Sequence, residues 1–143
     1  MDRDTINYYL IQTLTENALK YNRYLGVPAP VRKKDLEGIS NAVTKRLTVK
    51  EAHREIKLRN NDPNIDTFQI VKAALIQCGK VIEEDDFKGI VAGMIFAGIN
   101  EMDPAVLVIE IKQDDLEISA YAKEGVIKQN TAEKAIDKYV KCL

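Results

Sequence analysis

A chain of 143 residues, 45% hydrophobic and 30% charged, suits one globular domain spanning 1–143 and excludes a disordered or fibrous chain. The net charge of −1 is unevenly spread. Residues 32–59 hold nine basic and four acidic side chains, and residues 80–143 hold eight and thirteen, a polarity that can steer a partner but carries no information on fold. No apolar leader follows Met1, and two cysteines are too few for a disulfide framework or a metal site, so the expected compartment is the cytoplasm, with reduced thiols.

The first expected element is a long helix from Asp4 to Leu25, with Ile6, Leu10, Leu14, Ala18, Tyr21 and Leu25 on one face. It carries four of the six tyrosines, Tyr8, Tyr9, Tyr21 and Tyr24. Gly26-Val27-Pro28-Ala29-Pro30 then imposes a stiff connection. A second helix is expected from Lys34 to Arg46, and Thr48-Val49-Lys50-Glu51 has the spacing of a capping box that would open a third, with Val49, Ala52 and Ile56 inward. Asp66 and Gln69 make a better-marked helix start. That helix would face inward with Val71, Leu75 and Cys78 and stop at a left-handed Gly79.

Gly89 to Ile99 is the most distinctive stretch, eleven residues without a charge. A helix apolar on every side is one surrounded on every side, and about 16 Å is too short to span a membrane. Phe87–Asn100 is therefore expected to be a buried central helix. Gly89, Gly93 and Ala97 would mark the face where another backbone comes close. After Pro104 the signal turns to strand. Residues 105–112 are rich in β-branched side chains and 116–122 alternate, which predicts a hairpin turning at 113–115, with two short helices as the competing reading. Asn130 would cap a last helix with Ala132, Ala135, Ile136, Tyr139, Val140 and Leu143 as its apolar stripe. The fold class this predicts is mainly α, five or six helices around a buried central one, with a C-terminal β-hairpin.

The residues that carry chemistry are few. There is one histidine, His53, at the border of an apolar stripe, and two serines, Ser40 and Ser119, neither in a nucleophile elbow. The glycines match neither a P-loop nor a dinucleotide fingerprint. Glu83, Glu84, Asp85 and Asp86, with Glu101 and Asp103, are of the type that binds Mg2+. On a central helix, however, the two groups would stand roughly 20 Å apart. No catalytic, cofactor-binding or metal residue is assigned, and no cofactor is expected.

Subtraction thus favours a non-catalytic cytoplasmic module, regulatory in kind, that binds protein, either another chain or its own copies in a homo-oligomer. The four tyrosines are its candidate interface, since a large ring with a polar tip suits one, but rings that simply cover the domain's own core are the favoured reading of the same residues. The second reading is a helix-turn-helix-like nucleic-acid binder over 32–59, with Lys50, Arg54 and Lys57 reaching phosphates or bases. A carboxylate- and Mg-dependent hydrolase is third. No membrane partner is expected.

Overall fold

The uncharged run at the centre of the chain is a strand. The structure, a computed structural model, describes residues 1–24, 48–58, 64–124 and 128–143, without the side chains of 18–24 and 99. Helix α1 (Arg3–Tyr24) is followed by β1 (Thr48–Lys57), α2 (Thr67–Cys78), β2 (Lys80–Asp85) and β3 (Ile90–Ala97). A short 3-10 turn, Ile99–Glu101, leads to β4 (Asp103–Ile111), β5 (Asp115–Glu124) and α3 (Thr131–Cys142). The strands form one antiparallel sheet in the order β1-β5-β4-β3-β2. The mainly helical architecture expected from the sequence is therefore corrected to a mixed one, with three helices and five strands among the described residues.

The expected central helix Phe87–Asn100 is replaced by β3 and its flanking turns for a physical reason. The sheet is a middle layer. Val91, Ile95 and Ala97 of β3 pack with Phe68, Leu75, Ile136 and Tyr139 of α2 and α3. Met94, from the opposite face, packs with Val106 of β4 and with Ile6 and Leu10 of α1. A strand covered on both faces has no polar side, so the alternation that marks a half-exposed strand is lost. Residues four apart share a face in a strand as well as in a helix, so the spacing of Gly89, Gly93 and Ala97 did not discriminate.

The close approach expected at Gly93 is present in this different setting. A Cβ there would lie 2.4 Å from Leu75 Cδ2 and 2.7 Å from the Lys80 carbonyl oxygen. Gly89 instead sits in the β2–β3 turn with φ +67.

The third expected helix is also corrected. Residues 48–57 pair with β5 from Thr48↔Glu124 to Lys57↔Asp115 without a break. Local helix signals yielded to a long-range ladder, as β structure often requires. The expected helix Lys34–Arg46 and the Gly26–Pro30 connection lie outside the described residues.

Other local readings fare better. Asp66 caps α2 by accepting from the Gln69 N–H at 3.3 Å. The hairpin stands, with Ala105↔Ala122 to Ile111↔Leu116 in register. Gly79 ends α2 through its N–H to the Leu75 carbonyl at 2.8 Å, but in an extended conformation, φ −167, rather than a left-handed one. Asn130 precedes α3 with φ 55 and caps nothing with its side chain. The carboxylate of buried Glu124 accepts from the Thr131 N–H instead, at 2.6 Å.

Helices α2 and α3 are joined by the Tyr139 hydroxyl, fully buried and donating to the Val71 carbonyl at 3.1 Å. Burial holds that phenol well above its ordinary pKa. At their C-terminal ends Cys78 and Cys142 are free thiols in contact. Burial first, and then Cys142, pushes the Cys78 thiol up to about 11.

Candidate functional site

One open edge of the described sheet is formed by β1. The N–H of Leu58 bonds to the Asp114 carbonyl at 2.8 Å. In the unbroken β1–β5 register this makes the even-numbered residues of β1 the hydrogen-bonded partners of β5. The backbone N–H and C=O groups of Val49, Glu51, His53, Glu55 and Lys57 therefore point away from the sheet. Among the described residues no strand pairs with that side.

Side chains alternate along the same strand. On the α2/α3 face, Ala52 is buried and Arg54 is held by two acids of α3, Asp137 Oδ1 at 2.7 Å and Glu133 Oε2 at 3.3 Å. On the α1 face, Glu51 pairs with Arg3 and stands 3.5 Å from His53 Nε2. His53 Nδ1 lies 2.9 Å from Ser119 Oγ, and its ring meets Tyr121 edge-on with centroids 6.3 Å apart. Glu55 shares a hydrogen bond with Asp115, and that bond, the Asp115 charge and Glu117 raise its pKa. This end of the strand is rich in acid.

A groove of about 480 Å³ opens beside the first half of β1, lined by Lys50, Glu51, Glu124, Lys128, Asn130 and Glu133. Burial, reinforced by the Glu124 charge, raises the pKa of Asp103.

The residues singled out from the sequence fall in several places. Lys50, Arg54 and Lys57 are on a strand, so the recognition helix that was to carry them is absent. Lys50 and Arg54 share one face and Lys57 projects from the other. Tyr8 is 61% exposed and Tyr9 packs edge-on against it at 5.5 Å. Tyr9 also leans on the core beneath α1, its hydroxyl 3.5 Å from Glu83. The side chains of Tyr21 and Tyr24 lie outside the described residues.

The acidic run is spread over β2 and its turn, where Glu84 pairs with Lys72 at 2.7 Å. Glu101 pairs with Lys138 at 3.3 Å. Among the described residues no group of three or more His, Cys, Asp or Glu side chains is placed to hold a metal ion. No described helix is long and apolar enough to cross a membrane.

The sequence pattern does not mark Val49, Glu51, His53 and Glu55 as edge residues. Their role depends on which strand has a neighbour, and no local pattern reports that. The density of charge in 50–57 was the available signal, since edge strands carry charges that discourage indiscriminate pairing. Comparison with protein families, curated proteins and solved structures finds no match.

Proposed function

We propose that the protein is a non-catalytic protein-binding module that takes an extended segment of a protein as a sixth strand on the outer edge of β1. One observation carries this reading: ten residues of regular strand present outward backbone groups at every second position with no described partner. Strand addition uses such an edge, with main-chain bonds giving affinity and the alternating side chains giving selectivity. The alternation here is sharply defined. An incoming strand meets Ala52, Arg54 and Ile56 on one face and Glu51, His53, Glu55 and Lys57 on the other. The two free thiols, which form no disulfide framework, support placing the module in the cytoplasm.

The test is a random-peptide display library panned on wild-type protein and on Glu55→Pro. Proline at 55 removes an outward N–H while leaving the β5 ladder intact. The expected result is a class of peptides that binds wild type and loses binding to the variant. Absence of any such class, or equal binding to both proteins, contradicts the reading.

A further inference from the structure

The charges on β1 select a particular occupant for this edge. Two copies pairing antiparallel through β1 are related by a two-fold axis perpendicular to the sheet, because only that operation reverses the strand and keeps the two sheets continuous. Directly opposed residues must then share a face, so each register is centred on a residue.

Few registers overlap over most of the strand, and they differ in charge. Centred on Glu51 or on Glu55, that acid opposes itself. Centred on His53, Glu51 opposes Glu55. Centred on Ala52, Glu51 opposes His53, but Lys50 opposes Arg54, Glu55 opposes only Val49 and Lys57 meets no opposite charge. Centred on Arg54, Glu51 opposes Lys57 and His53 opposes Glu55, each twice by symmetry, while Ala52 opposes Ile56. The two arginines that meet at that axis are each already held by Asp137 and Glu133 of their own chain.

The backbone agrees with the charges. Residues 51, 53, 55 and 57 are those whose N–H and C=O groups point outward, so the oppositely charged pairs coincide with the hydrogen-bonded pairs. The acid-rich end formed by Glu55, Asp115 and Glu117 would receive the histidine of the other copy.

We infer that the strand docking on β1 is a second copy of this chain, paired antiparallel about Arg54 to make one continuous ten-stranded sheet. This rests on the strand-docking reading of the same edge and names its partner. Opposed unlike charges stabilise such a pair and opposed like charges destabilise it.

The experiment is sedimentation equilibrium on the full chain, with circular dichroism confirming that each variant is folded. Wild type is expected to be a dimer at micromolar concentration. Glu51→Lys and Lys57→Glu each set two like-charged pairs across the axis and should weaken the dimer by about tenfold or more. An equimolar mixture of the two single variants should recover it as a heterodimer, because both cross-axis pairs then become unlike again. The double variant should recover it as a homodimer.

A wild type that stays monomeric at about 100 μM, or variants whose mixture stays monomeric, overturns the self-pairing. If peptides lost on Glu55→Pro are still selected in that case, the docking edge stands and only its occupant is wrong. A wild-type dimer that Glu55→Pro leaves unchanged overturns the self-pairing, and the peptide selection then decides the docking edge separately.

Discussion

The two edges of the sheet are built differently. Strand β2 has six residues, its register slips between Val81 and Glu83, and its acids are engaged, with Glu84 on Lys72. A short, bulged, charged strand is how proteins close an edge to further pairing. Strand β1 has ten residues, pairs with β5 without a slip and holds charges of both signs. The first edge resists any neighbour, whereas the second resists only those whose charges do not match. A selective edge of that kind is what a binding surface needs.

The largest expected effect tests how β2 is seated. Gly93→Leu should destabilise the protein by about 3 kcal/mol or more, because the added atoms meet Leu75 and the Lys80 backbone, which has little freedom to withdraw. Gly93→Ala should also destabilise, whereas in a helix with room to spare it would stabilise. Denaturant melts measure both, and an unchanged midpoint for the leucine variant would mean that β2 is not held as described.

Next comes a pair of prolines on β1. Ile56→Pro removes an N–H that bonds to β5 and should cost about 2–3 kcal/mol. Glu55→Pro removes an outward N–H and should cost less than about 1 kcal/mol. Equal losses in thermal melts would erase the distinction between the inner and outer sides of the strand.

Two changes on the α2–α3 seam, away from both edges, set the baseline. Tyr139→Phe deletes the bond to Val71 and should cost about 1 kcal/mol, without altering association. Cys78 tests the same seam through pH. Its pKa is raised to about 11 from an ordinary value of 9.0, so the fold favours the neutral thiol. The associated stability is complete below pH 9 and is lost as pH rises through about 11. At pH 8, iodoacetamide should alkylate native Cys78 much more slowly than the unfolded chain, and equal rates would contradict the burial.

What was legible in the sequence was local. Asp66 with Gln69 marked a helix start because the cap is made within one turn. The 105–122 hairpin was readable because its strands are adjacent in the chain and its turn is short and polar. Tyr139 and Ala135 marked the buried stripe of α3. What failed depended on distant partners. Residues 48–57 have helix-like spacing and charge and become a strand through β5, about seventy residues away in the chain. Residues 90–97 lost their alternation because α1 covers one face and α2 with α3 covers the other. The outer edge of β1 is a further step removed, since it is defined by having no pairing strand among the described residues. The charge pairing about Arg54 lay in the sequence but had no meaning until the strand was known.

The most direct test of the account is residue-resolved amide hydrogen exchange along β1, in dilute and in concentrated protein. In dilute protein the amides of Glu51, His53 and Glu55 should exchange quickly, while those of Ala52, Arg54 and Ile56, bonded to β5, are protected. On concentration the first set should become protected and the second should change little. Protection of the first set in the dilute monomer, or fast exchange at both concentrations, would contradict the claim that a second copy fills the outer edge of β1.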